Sequence, residues 1–207
     1  MKLYLVRHAQ SIANTEHVIA CQIPGSVLSD EGQDQADALA DKLGNRHISA
    51  IYHSRMVRTS QTATPLGKRL GLDLIEMPGL HEVQLGDLAE RSDSDAYAAM
   101  DDMAKLWNRA EDLEFARPGG ESGRQVVGRM TEDFDRIRRL HGQSDDAVVA
   151  VAHGLCLRTA TQRWADGVSL EFAYENLLPN TGIIEVDVPA DPGKRPQIVD
   201  WVGLGTG

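Results

Sequence analysis

The chain has 207 residues, 42% of them hydrophobic and 25% charged, with a formal net charge of −10. That length supports one sizeable hydrophobic core, or at most two small domains. The acidic balance argues against a general nucleic-acid or anionic-membrane surface, which needs clustered Lys and Arg, so any cationic pocket must be local.

In chain order the pattern alternates between strand and helix. Leu3–Val6 reads as the first strand and runs into Arg7-His8-Ala9. Only four apolar residues separate Lys2 from Arg7, short of the ~7–15 of a signal-peptide core. No apolar run approaches the ~18–20 residues of a membrane span, so a cytoplasmic location without membrane attachment is expected. Gly32–Leu43 reads as a helix with Ala36, Leu39, Ala40 and Leu43 on one face, Asp30 with Gln33 as its capping box and Gly44 at its end. Ile48–Tyr52 is the second strand, running into His53-Ser54-Arg55. The next helix extends to about Leu70, stopped by Gly71, and Pro65 should kink or interrupt it. Asp73–Met77 is a short strand, with Pro78-Gly79 as a turn.

Residues 91–121 break this rhythm. Asp93–Glu111 reads as a helix with Tyr97, Met100, Ala104 and Trp107 as a packing stripe, followed by a loop, Arg117–Ser122. Ser122 and Gln125 form a capping box for a helix that turns Val127, Met130, Phe134 and Ile137 inward. Ala147–Ala152 is a continuous apolar strand of the kind buried on both faces in a parallel sheet. It leads into His153-Gly154 and a helix to about Trp164. Gly182–Val188 and Gln197–Val202 are the last strands. The expectation is one α/β domain over residues 1–207 with a mostly parallel central sheet, carrying 91–121 as an inserted helical segment over the site. Cys21 and Cys156 lack metal-ligand spacing and read as reduced thiols, and no metal or other cofactor is expected.

Open parallel sheets place ligand sites outside the carboxyl ends of their strands. Two strands here deliver a histidine to that edge, His8 and His153, and Arg7 and Arg58 lie near it. Such a cluster suits attack on a phosphoryl group. Neutral imidazole attacks phosphorus without adding negative charge, and the planar guanidinium fork matches the equatorial oxygens. The leaving alkoxide needs a proton, which places a carboxylic acid at the rim.

These residues resemble the histidine phosphatase superfamily, the phosphoglycerate-mutase-like fold. Val6–Asn14 resembles its opening Arg-His-Gly signature with later Ser and Asn, and Leu28–Ala36 resembles its Leu-Thr-x-x-Gly-x-x-Gln-Ala segment. Ser54–Ala63 is similar to its Ser-x-x-x-Arg-Ala-x-Gln-Thr-Ala helix start, and Leu80–Gly86 to the stretch bearing its acid. Pro118–Ser122 and Ala152–Gly154 match two later motifs. The resemblance implies a three-layer fold and a phosphohistidine intermediate on His8. Arg7, Arg58 and His153 would then grip the phosphoryl group, with Asn14 as a neutral donor and Gln22 and Gly154 beside the substrate. Glu82 would be the general acid and base, with Glu76 or Asp87 as the other carboxylates for that role. Ser54 would cap the helix carrying Arg58.

The sequence departs from the family pattern at Ala9, which replaces the usual glycine, and at Leu88-Ala89-Glu90, which replaces Trp-Glu-Gly. It also lacks the Glu-Arg-His-Tyr-Gly segment of phosphoglycerate mutases. The expected function is hydrolysis of a small phosphorylated metabolite. The alternatives are a cofactor-dependent mutase and, on account of Ala9, a catalytically silent phosphate-binding or interaction protein. A homodimer is left open.

Overall fold

The computed structural model describes residues 1–205. Its centre is a six-stranded sheet in the order β3-β2-β4-β1-β5-β6. The strands are β1 (Lys2–Arg7), β2 (Ile48–His53), β3 (Leu74–Glu76), β4 (Ala147–Ala152), β5 (Ile183–Asp187) and β6 (Gln197–Trp201). β1, β2, β3 and β4 pair in parallel, while β5 and β6 are antiparallel. The sheet is therefore mostly parallel, as expected, with an antiparallel edge.

β4 is buried at every position because it lies between β2 and β1 with helices on both faces. Alternation along the central strands divides the core. Leu3, Leu5, Val148, Ala150 and Ala152 face one layer, and Tyr4, Val6, Val149 and Val151 face the other. The second face is covered by α2 (Asp30–Leu43) and α3 (Val57–Leu70). The first is covered by α5 (Gly123–His141) and α6 (Gly154–Trp164), extended by α4 (Ser94–Asn108) and α7 (Leu170–Glu175). One further turn of helix, α1 (Ile12–Thr15), follows β1. Among the described residues no helix is long and apolar enough to cross a membrane.

Several local expectations need correction. Ser29, not Asp30, caps α2: its backbone is extended and its hydroxyl accepts from Gly32 N at 3.1 Å, whereas Asp30 already lies in the first helical turn. Val126, not Val127, faces inward from α5, because it shares the 3.6-residue stripe of Met130, Phe134 and Ile137. α3 runs on through Pro65; Thr59, Thr62, Ala63 and Leu66 form a buried stripe that compensates for the hydrogen bond the proline removes. Gly71 ends α3 at φ 68°, the left-handed cap that glycine adopts without strain. β3 is confined to three residues, since only Leu74–Glu76 pair with β2. Pro78 opens a short 3-10 helix, Pro78–Leu80, rather than a simple turn. On α4 the buried positions are Ala96, Met103, Ala104, Trp107 and Asn108; of the upper half of the expected stripe, Met100 is half-buried against the core, while Tyr97 is 36% exposed and stands outside it.

Candidate active site

The sheet register brings the two histidines together. Arg7 on β1 is level with Ala152 on β4, so the next residue on each strand is a histidine at the same height. His8 N donates to Ala152 O at 3.0 Å, and the imidazole centroids of His8 and His153 are 5.1 Å apart. β2 ends one strand over, where Ser54 N donates to Val151 O and the chain turns into α3. Arg58, in the first turn of α3, thereby points back over His8.

The hydrogen bonds of His8 define its tautomer. Nδ1 lies 2.6 Å from the carbonyl oxygen of Ala9, which can only accept, so Nδ1 carries the proton. Nε2 is then a lone pair, and it receives the Nε–H of Arg58 at 3.0 Å. Burial, followed by the charges of Arg58 and Arg7, holds the His8 pKa well below the usual imidazole range, with the Ala9 carbonyl opposing. The result is a buried, neutral imidazole with its nucleophilic nitrogen turned toward a guanidinium.

Around it, buried donors are left over. Arg7 Nη1 donates to Leu178 O at 2.6 Å and Arg58 Nη2 to Ala20 O at 3.1 Å, which fixes both forks. Arg7 Nε, Arg58 Nη1 and His153 Nδ1 are buried without a partner among the described residues. Unpaired buried donors of this kind are costly in a folded chain and tend to mark ligand sites. His153 is fully buried behind His8 rather than on the cavity wall, and its Nε2 is 2.8 Å from Ser54 Oγ. Ser54 therefore serves His153. The residue before α3 is Met56, which makes no side-chain cap, so the capping role expected for Ser54 is not what the structure shows.

A cavity of about 210 Å³ opens over these groups, lined by Arg7, His8, Asn14, Arg58, Glu82 and Gly154 among others. Asn14 is oriented by the capping box of α1, its Oδ1 accepting from Ser11 N at 3.0 Å. Glu82 is held by three backbone donors, Val83 N, Cys156 N and Leu155 N, the last two in the first turn of α6. The other carboxylates weighed for its role, Glu76 and Asp87, do not line the cavity. Gln22 is exposed and lines a separate shallow depression with Gln84 and Gly86, outside this cavity.

Ala9 is accommodated without strain. It is fully buried, its φ is not positive, and its methyl packs with Leu28 and Ala36 while its N–H donates to Thr62 Oγ1 at 3.0 Å. The methyl faces away from the phosphate-sized space into a small apolar cluster, so the departure from glycine leaves the site geometry intact.

Two features escaped the sequence reading. The stretch around Glu82 is gripped by a half-buried ion pair: Arg129 binds Glu121 through two bonds of 2.7 and 2.9 Å and donates to Gly79 O and His81 O. Glu121 in turn accepts from Gln84 N at 2.9 Å. Against burial, which raises it, the Arg129 guanidinium keeps the Glu121 carboxyl below its ordinary pKa. The second feature is the outer wall, where Tyr97, Met100, Leu177 and Arg158 join the cavity. The pairing of Pro-Gly-Gly-Glu with an arginine eight residues after that glutamate was the only trace of the first in the sequence.

The histidine phosphatase superfamily (branch 1) model matches residues 3–202. The mycobacterial glucosyl-3-phosphoglycerate phosphatase superposes with a TM-score of 0.80 at 25% identity, covering 97% of each chain. Its complex with VO3 also gives a TM-score of 0.80, at 27% identity, covering 97% of this chain and 98% of that one. A 2,3-bisphosphoglycerate-dependent phosphoglycerate mutase from Brucella ovis is 29% identical over 87% of this chain and 88% of its own length. The PE-PGRS family protein PE_PGRS11 of Mycobacterium tuberculosis is 39% identical over 82 residues, 39% of this chain and 14% of that protein. The chain belongs to the histidine phosphatase superfamily, branch 1, and is a phosphatase-type enzyme.

Proposed function

We propose that the protein hydrolyses the phosphomonoester of a small metabolite through a phosphohistidine on His8. The observation that carries this reading is the neutral His8 Nε2 lone pair, set among Arg7 Nε, Arg58 Nη1 and His153 Nδ1, three buried nitrogens without partners among the described residues. Arg58 would release Nε2 as its guanidinium turns to the incoming phosphoryl oxygens. Nε2 then attacks phosphorus, the P–O bond to the alcohol breaks, and the departing oxygen takes its proton from Glu82. In the second half, Glu82 accepts a proton from water, the water oxygen attacks phosphorus, and the P–N electron pair returns to Nε2. Arg7 and Arg58 hold the equatorial oxygens throughout, Asn14 adds a neutral donor, and His153, which lies off the cavity lining, offers Nδ1 from beside His8 as the phosphoryl group settles on that ring. The segment 91–121 would cover the substrate through Tyr97 and Met100.

A donor at His153 Nδ1 requires its Nε2 to accept from the Ser54 hydroxyl. That leaves Ser54 Oγ to accept from Met56 N at 3.1 Å, with Thr59 Oγ1 3.0 Å away and donating to Met56 O. The silent-binder alternative rested on Ala9, and the relaxed packing of that methyl removes its support.

The test is an acid-sensitive phosphoenzyme together with phosphate release. Incubation with p-nitrophenyl phosphate, quenching and peptide mapping should place the phosphoryl group on His8, and His8→Ala should abolish both adduct and turnover. Hydrolysis by His8→Ala at the normal rate would overturn the reading. Conversion of 3-phosphoglycerate to 2-phosphoglycerate in the presence of bisphosphoglycerate, without phosphate release, would establish the mutase instead.

A further inference from the structure

Arg158 is a guanidinium on the cavity wall that the phosphoryl chemistry does not use. It follows Gly154 by one turn on α6, about 6 Å along the axis, and a Cβ at Gly154 would lie 3.4 Å from Arg7 Nε. Arg158 therefore sits beside the cavity one turn beyond the phosphate grip. Among the described residues its side chain makes one bond, Nη1 to Tyr174 O at 2.9 Å. The acids nearby are bonded elsewhere: Glu82 by three backbone N–H groups, Asp101 by Lys105 at 2.8 Å and by the Tyr174 hydroxyl, and Glu171 and Glu175 by Arg109. Burial lowers the Arg158 pKa from its ordinary value, yet an arginine stays charged at any working pH.

In a chain of net charge −10, this cavity is lined by Arg7, Arg58 and Arg158 against a single carboxylate, Glu82. The rest of the outer wall is apolar, with Tyr97, Met100 and Leu177. Among the described residues no carboxylate lies within ion-pair distance of this half-buried guanidinium, although Glu82 and Asp101 act on it from farther away, and a bound anion would complete its pairing. A planar fork on an apolar wall suits one carboxylate, bound through two parallel bonds.

We propose that Arg158 binds a carboxylate carried on the leaving alcohol, which makes phosphorylated hydroxy acids the preferred substrates over neutral phosphorylated alcohols. The proposal rests on the hydrolase reading above and extends it to substrate class. It is tested with 3-phosphoglycerate and glycerol 3-phosphate, which differ by a carboxylate against a hydroxymethyl group. The wild-type ratio of kcat/KM, acid over neutral, should be about 10–150, the range of hydrogen bonds to a charged group. In Arg158→Gln the ratio should fall to near one, and Arg158→Lys should recover part of it. A wild-type ratio near one, or a ratio unchanged in Arg158→Gln, overturns the proposal. Equal loss on both substrates with a lowered Tm would also overturn it, assigning Arg158 to tying α6 to α7 through Tyr174. If the wild type hydrolyses neither ester nor p-nitrophenyl phosphate, the hydrolase reading fails separately. The ratio of dissociation constants of the two esters, measured by calorimetry on wild type and Arg158→Gln, then decides the carboxylate site by the same criterion.

Discussion

The floor and the rim of the cavity are built by different means. His8, Arg58 and His153 are 4%, 3% and 0% exposed, and each is placed by a strand end or the first turn of the following helix. At the rim, Tyr97 is 36% and Leu177 66% exposed, and they come from α4 and from the loop before β5. Register leaves the floor no freedom, because shifting one strand would carry both histidines out of line. The rim answers only to the packing of surface elements, which tolerates exchange. A scaffold of this kind keeps one reaction and changes its substrate.

Four measurements sharpen that contrast or break it. The largest effect is expected at the inner edge of the rim, where the acid acts. Glu82→Gln should lower turnover of alkyl phosphates by about 10²–10⁴-fold, the usual worth of a placed proton donor, and of p-nitrophenyl phosphate far less. Equal losses across a leaving-group series would remove Glu82 from the acid role. Next is the clamp behind it. Arg129→Lys keeps the charge but loses the paired hydrogen bonds to Glu121, and should cost about 10-fold on alkyl phosphates with a smaller loss on p-nitrophenyl phosphate. A lowered Tm with no change in leaving-group dependence would make the clamp purely structural.

The third measurement isolates the floor through pH. Burial depresses the pKa of His8 and His153, and of His81 and His141 to a lesser degree. Below about pH 6.5 the unfolded chain therefore binds protons that the folded chain refuses, and stability falls as pH falls. Each of the two floor histidines should contribute up to about 1.4 kcal/mol per pH unit in that window, and nothing above it. Urea midpoints between about pH 5 and 7 should show this slope, and the His8→Gln/His153→Gln double variant should flatten it. A slope unchanged in the double variant would place the titration elsewhere. The smallest effect is expected at Tyr97→Ala, where KM should rise about 3–10-fold with a lesser fall in kcat, as happens when a wall side chain supports the ground and transition states alike. A loss confined to kcat would put Tyr97 among the reacting groups.

The same division explains what could be read before folding. Apolar runs ending in Arg7-His8 and in His153 declare strands whose ends must be level in a parallel sheet, so their convergence follows from local pattern. Arg58 was legible because it opens a helix behind a third such strand. The bond from Ser54 to His153 spans 99 positions, and the Arg129 grip on the Glu82 stretch joins α5 to a loop about 50 residues away; neither leaves a periodic trace. Tyr97 and Met100 share helical spacing with Trp107, and spacing alone cannot distinguish a stripe that meets core from one that meets a cavity. Arg158 was overlooked because an arginine on a helix is usually solvated, and its seclusion depends on α7 lying beside it.

The bonds around Arg7 also constrain when the enzyme comes into being. Arg7 Nη1 is anchored to Leu178 O, 171 positions away, and Asn180 Nδ2 and Thr181 N hold the carbonyls of His8 and Arg7. A nascent chain halted before residues 178–181 emerge from the ribosome would own every reactive side chain and still lack these anchors. Contacts of such separation form late and slowly. Activity should therefore appear only once residues 178–181 have folded back against the end of β1.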